Sequence, residues 1–226
     1  MKAATTQLSF QRHSGWGGKR KNAGRRRPKD VRARVAHARR PKHRTCHPVH
    51  VTLRALAIVG NLRECPVFNA LFDALAAASN AAFRVAHFSI QHDHLHLIVE
   101  ARDRETLIRG VQGLAIRTAK AINRGAGRKG KVWADRYPAR ELKTPREVRL
   151  ALVYVLHNWK KTVRGADWLD PCATGYWFDG WKGPRPRWST SSQPSPVCAP
   201  RTWLLTTGWR RHGLIGFDER PRSEPR

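Results

Sequence analysis

The residues best suited to chemistry lie in His92-Asp93-His94-Leu95-His96-Leu97-Ile98-Val99-Glu100. In extended backbone, successive side chains point to opposite faces. His92, His94 and His96 then share one face, and Leu95, Leu97 and Val99 share the other, which is apolar enough to lie on a core. Two imidazoles two residues apart on a rigid strand can aim nitrogens at one point and hold a divalent metal. The plainer alternative is a polar strand face whose histidines bond to their neighbours, and a bare His-x-His favours it.

The flanking sequence supplies the elements that would position this pair. Val49–Leu56 alternates and is β-rich, giving a first strand. A helix starts near Asn61–Pro66, with Pro66 in its first turn and Phe68, Leu71, Phe72 and Leu75 at helical spacing. Arg84–Ile90 is a second strand and His94–Ala101 a third. The short link 91–93 makes these two a hairpin and can put His92 in the turn. Asp103–Thr106 opens a second helix, with Leu107, Val111, Leu114 and Ile122 on its buried face. A basic glycine loop, residues 125–131, ends it without meeting the Walker spacing. Residues 132–142 read as partly extended. Thr144-Pro145-Arg146-Glu147 caps a third helix. This order predicts an α+β fold: a ferredoxin-like antiparallel sheet with helices packed on one face, leaving the histidine face open.

Composition narrows the partner. The chain has 226 residues, 44 Lys and Arg against 16 Asp and Glu, and a net charge of +28. Such a field favours a polyanion, and nucleic acid is the usual one. Residues 1–44 hold 15 of the basic residues and one acid, Asp30. They form a basic flexible arm with too little apolar sequence to fold alone. Lys19, Arg20, Lys21, Arg25, Arg26 and Arg27 are its candidate phosphate contacts, joined by Arg128, Lys129 and Lys131 of the glycine loop. Residues 45–181 form the domain. Residues 182–226 form a Pro/Arg-rich linker and tail, in which Trp203–Trp209 and Leu214-Ile215 could dock back. No apolar run is long enough to span a bilayer, and no secretory core follows the first residues. The expectation is therefore a cytoplasmic, nucleoid-associated protein with no membrane partner. Cys46, Cys65, Cys172 and Cys198 form no C-x-x-C pair and read as reduced structural thiols.

Several motifs then combine: His94-Leu95-His96-Leu97-Ile98-Val99-Glu100, Asn123-Arg124, Gly127-Arg128-Lys129-Gly130-Lys131-Val132-Trp133, Arg136-Tyr137 and Tyr154-Val155-Leu156-His157-Asn158. Together they resemble the REP-associated tyrosine transposase branch of the single-tyrosine HUH transposases, over roughly residues 47–165. The resemblance implies metal-assisted cleavage and rejoining of single-stranded or hairpin DNA in DNA transposition, or a domesticated derivative of it, by a monomer or homodimer. His94 and His96 would hold Mg²⁺ or Mn²⁺, with Asn123 as a candidate third group. A tyrosine would attack phosphorus to give a 5′-phosphotyrosine and a 3′-hydroxyl.

The sequence departs from that pattern at the nucleophile, expected on the second helix just before Asn123-Arg124. That helix has no tyrosine, and the chain has only Tyr137, Tyr154 and Tyr176. Tyr154 stands among apolar residues and reads as core, and Tyr176 sits in an aromatic cluster. Three outcomes stay open: DNA binding without cutting, cutting by a repositioned Tyr137, or hydrolysis by metal-activated water. The rival from another class is a non-catalytic DNA- or RNA-binding protein with structural histidines.

Overall fold

Residues 42–134, 136–161, 163, 168–183 and 194–221 are described by the computed structural model. Four strands, β1 (Val49–Arg54), β2 (Phe83–Ile90), β3 (His94–Ala101) and β4 (Ala139–Glu141), form one antiparallel sheet in the order β2-β3-β1-β4. Helices α1 (Cys65–Ala76) and α2 (Arg104–Gly125) connect the strands, and α3 (Pro145–Leu156) follows β4. This is the expected α+β architecture, with the hairpin β2–β3 bringing the His-x-His strand into the middle of the sheet. His92 is exposed in the hairpin turn.

Sequence chemistry accounts for the helix starts. Pro66 sits in the first turn of α1, where a missing N–H costs nothing. The Asp103 carboxylate accepts from Thr106 N at 2.7 Å and caps α2. Thr144 and Glu147 form a reciprocal capping box on α3. Helix α2 meets α1 closely at Gly125, where a Cβ would stand 2.6 Å from the Pro66 carbonyl oxygen.

The core divides by strand parity. Val49, Val51 and Leu53 of β1 and Leu95, Leu97 and Val99 of β3 join Leu71 and Leu75 of α1 and Val111, Leu114 and Ile122 of α2 in one cluster. On the other face Ile98 and Ala86 meet Leu152, Val155 and Leu156 of α3. The helices therefore take both faces of the sheet rather than one, and the histidine face is partly covered. The reason is legible in α3 itself, where Ala151 through Leu156 are buried without a break. A helix apolar all round needs cover on more than one side.

The second cover comes from the C-terminal segment. A single turn α4 (Trp203–Thr206) and a 3₁₀ stretch, Gly208–His212, bring Leu204, Leu205, Trp209 and Ile215 against α3. Arg149 of α3 donates to the Gly213 and Leu214 carbonyls and forms a two-point pair with Glu219. At the far end of β3, the buried Glu100 carboxylate accepts from Arg201 N, Thr202 N and Thr202 Oγ1 at 2.7–2.8 Å. At the other edge, His43 Nδ1 meets Glu141 Oε1 at 2.9 Å and its Nε2 meets the Ala101 carbonyl at 3.0 Å. The basic arm before residue 42, with Lys19, Arg20, Lys21, Arg25, Arg26 and Arg27, lies outside the described residues.

Candidate active site

Register places the site. In the β1–β3 ladder Arg54 is opposite His94, Thr52 opposite His96 and His50 opposite Ile98. Directly opposed residues share a face. His50, Thr52 and Arg54 therefore line up beside His94 and His96, and Ser89 of β2 flanks His96 from the other side. The sequence reading found the two histidines of β3 but not this row. Its signal was the alternation His50-x-Thr52-x-Arg54, which becomes a site only once the pairing is known.

His96 is the buried centre, 1% exposed. Its Nδ1 is 3.1 Å from Thr52 Oγ1 and 3.3 Å from His50 Nε2. Its Nε2 is buried and has no hydrogen-bond partner among the described residues. With the ring proton on Nδ1, the N–H is satisfied and the Nε2 lone pair is left to a ligand; this tautomer is assigned from the hydrogen-bond network. Burial, then the neighbouring charges of His50, His94, Lys161 and Arg54, holds its pKa well below the ordinary value. Burial, followed by Arg140 and Lys161, lowers His50 to about 4. Both rings are neutral at physiological pH, the form that binds metals.

His94 is oriented by a carboxylate. Its Nδ1 lies 2.5 Å from Asp93 Oδ1, and Asp93 Oδ2 accepts from Arg54. Burial works to raise the Asp93 pKa, but the His94 hydrogen bond and the charges of His94 and Arg54 outweigh it and hold it low. A carboxylate behind an imidazole fixes ring orientation and raises its basicity as a metal ligand. The His94 and His96 rings are 4.6 Å apart and nearly perpendicular.

A tyrosine does meet this pair, and it comes from α3. The Tyr154 ring lies 4.9 Å from His96 and 5.6 Å from His50, edge to face with both. Tyr154 is buried, as expected of a core residue, yet the part of the core it fills is the wall of the histidine site. Lys161, in the 3₁₀ turn Asn158–Lys161 that follows α3, holds its Nζ 3.9 Å from the centre of the Tyr154 ring. Asn158, four residues beyond Tyr154, is buried with its side-chain nitrogen lacking a hydrogen-bond partner among the described residues.

The other sequence candidates lie elsewhere. Tyr137 packs against the α1/α2 cluster, on the opposite side of the sheet from the histidines. Tyr137, the repositioned nucleophile expected from sequence, thus lies with the α1/α2 cluster, while the His96 ring meets Tyr154 of α3. Asn123, the expected third ligand, is engaged within its own loop. It stands on α2, its amide donating to the Gly130 carbonyl at 2.8 Å and its oxygen accepting from Arg128 at 2.7 Å, so it braces the glycine loop. Arg128 also donates to the Lys131 carbonyl, while Lys129 and Lys131 are exposed. Trp168 and Trp203 are exposed aromatic surfaces, the first tilted against Trp159 at 5.3 Å and the second beneath the Arg211 guanidinium at 4.8 Å. Among the described residues, no group of three or more His, Cys, Asp or Glu is arranged to hold a metal ion. No helix among them is long and apolar enough to cross a membrane.

Comparison with known proteins bears on this arrangement. Residues 68–158 match the sequence model of the family described as "Transposase IS200 like". That stretch carries His94, His96, Tyr154 and Asn158. A solved structure of a REP-associated tyrosine transposase bound to a REP hairpin superposes with a TM-score of 0.50 and 15% identity, over 62% of this chain and 82% of that one. No curated protein matches. The chain is thus transposase-like in sequence over residues 68–158, and it shares its fold with a REP-associated tyrosine transposase.

Proposed function

We propose that this transposase-like chain binds DNA, single-stranded or hairpin, and cuts and rejoins one strand with Tyr154 as the nucleophile and His94 and His96 as the ligands of a divalent metal, Mg²⁺ or Mn²⁺. The observation that carries the reading is the packing of the Tyr154 ring against His96, whose buried Nε2 is unmatched. A buried nitrogen left without a partner is costly in a purely structural role and expected of a ligand position.

The residues fit the metal. Two neutral imidazoles, one backed by Asp93 and one by Thr52 and His50, are a donor set for a borderline cation that keeps coordination positions open. Asn158, in the 3₁₀ turn after α3, is the polar side chain suited to add an oxygen ligand, in place of Asn123. The metal, when bound, polarises the scissile phosphate as a Lewis acid. Everything else falls to the chain. The sheet holds the imidazoles, α3 holds the phenol beside them, and the α3 packing keeps bulk water from the reacting atoms. Attack by Tyr154 Oη on phosphorus forms a 5′-phosphotyrosine, breaks the P–O3′ bond and frees a 3′-hydroxyl. Reversal by another 3′-hydroxyl rejoins the strand.

The test is a labelled single-stranded hairpin DNA incubated with Mn²⁺ and resolved on a denaturing gel. The expected result is a covalent protein–DNA adduct that is kept in Tyr137→Phe and lost in Tyr154→Phe. Cleavage that survives Tyr154→Phe without an adduct would transfer the chemistry to metal-activated water. DNA binding with no cleavage, unchanged in His94→Ala/His96→Ala, would leave a non-catalytic nucleic-acid binder.

A further inference from the structure

We propose that the cavity at the far end of β3, bordered by Arg84, Arg102, Arg201 and Trp203, takes one unpaired nucleotide of a DNA strand, with the base against the indole and the phosphate on the guanidiniums. The inference rests on the DNA-binding part of the reading above and not on strand cleavage. The cavity measures about 460 Å³, within the roughly 300–1,000 Å³ of sites that enclose small ligands. It lies apart from the histidines: Glu100, in its wall, is four strand positions past His96, a separation on the order of 13 Å. Its role is therefore recognition rather than chemistry.

The wall is built around one carboxylate. Glu100 is buried, and its oxygens are taken up by Arg201 N, Thr202 N and Thr202 Oγ1. Three guanidiniums share the wall with it. Arg84 donates through Nη2 to the Ala199 carbonyl, while its Nε is buried, 4.0 Å from Glu100 Oε2, with no hydrogen-bond partner among the described residues. Arg102 and Arg201 are exposed. Arg201 reaches the Ala81 carbonyl only at 3.5 Å. Arg102 meets Asp103 at 3.3 Å in a largely exposed pair, which water screens. Three positive charges against one acid on the wall favour an anion, and the planar guanidinium fork suits phosphate oxygens. Trp203 supplies the other half. It is 48% exposed although its neighbours Leu204 and Leu205 are buried, and the Arg211 guanidinium rests on its ring. An aromatic face beside arginines is the pairing that holds single strands: a base stacks on the ring while the backbone phosphate meets the cations. A base inside a duplex is stacked and paired, so the occupant is an unpaired one.

The test titrates the full chain, in EDTA so that no metal-assisted cutting occurs, into fluorescein-labelled octathymidylate and into the same strand made of abasic residues. Fluorescence anisotropy gives the affinities. Trp203→Ala should weaken the thymidine strand about fivefold or more, the loss of one base stack, and leave the abasic strand within about twofold. Trp203→Phe should keep most of the affinity, since a ring remains. Arg201→Gln retains the backbone N–H that donates to Glu100. It should weaken both strands and lower the slope of log affinity against log salt by about 0.7, the value of one phosphate contact on a single strand. A thymidine strand bound equally by wild type and Trp203→Ala, or an equal loss on the abasic strand, overturns the base site. An unchanged salt slope in Arg201→Gln overturns the phosphate site. A readout on the wild type covers the case of a variant that fails to fold: irradiation of a 5-iodouracil strand should cross-link it to the peptide that holds Trp203, and cross-links confined to other peptides overturn the proposal. Because every arm runs without metal, a missing adduct in the Tyr154 assay leaves this site standing, and a failure here leaves the adduct standing. A wild type that binds neither strand brings down the DNA reading and this site together.

Discussion

His96 shows how much of a site rests on the residues behind it. Its Nδ1 is held by Thr52 and His50, so the neighbours choose Nε2 as the nitrogen left over for the proposed metal. Thr52→Val removes one partner while keeping the shape, and should weaken Mn²⁺ binding by about tenfold or more, the usual cost of losing a ligand's supporting contact. Calorimetric titration of Mn²⁺ into wild type and variant measures it, and equal affinities would show that Thr52 does not orient the ring. Buried histidines also set the acid limit. Burial lowers His87 and His157 to about 4. In the unfolded chain each protonates below its ordinary value near 6.5, while in the folded chain each stays neutral down to about 4. The unfolded state therefore binds more protons in this window, and stability is lost as pH falls through it. Each group contributes on the order of 3 kcal/mol across the full window. Urea titrations from pH 7 to pH 4 should show the fall, and His87→Gln should flatten it. The two β3 histidines could be read from sequence because strand alternation is a local property. Tyr154 could not, because in an apolar run a residue that lines a site and one that fills a core look the same.

At the scale of elements, α3 decides the outcome. Its sequence announces a helix through the Thr144–Glu147 box, and its buried run announces a helix covered on more than one side. Which face of the sheet it takes is a tertiary choice that no periodicity records, and that choice brings a phenol to the histidines. The hairpin and the helix starts were legible because each rests on local chemistry: a short link, a cap, a proline in a first turn. The row His50, Thr52 and Arg54 was not, since register joins residues forty or more positions apart. Close approach between α1 and α2 gives a direct check on the packing. Gly125→Ala would drive a methyl into the Pro66 carbonyl, and backbone cannot swing aside as a side chain can. A loss of about 1–3 kcal/mol is expected, read as a shift in the urea midpoint. An unshifted midpoint would mean that the two helices lie further apart.

For the whole molecule, charge and closure matter most. Thirteen of the 44 basic residues precede residue 42. A protein lacking residues 1–41 should bind single-stranded DNA with a shallower dependence of log affinity on log salt, since fewer counterions are released; fluorescence anisotropy at several salt concentrations reads the slope, and an identical slope would place the arm away from DNA. Closure comes from the last described residues. The segment from Arg201 to Glu219 grips β3 through Glu100 and α3 through Arg149, the two elements that carry the histidines and the tyrosine. Translation therefore makes the sheet and α3 before the segment that clasps them. A nascent chain stopped near residue 200 leaves the outer apolar side of α3 bare, which favours aggregation and removal. The histidine row and Tyr154 are thereby held together only once synthesis has run past the clasp, and ribosomes that stall before it release an incomplete core.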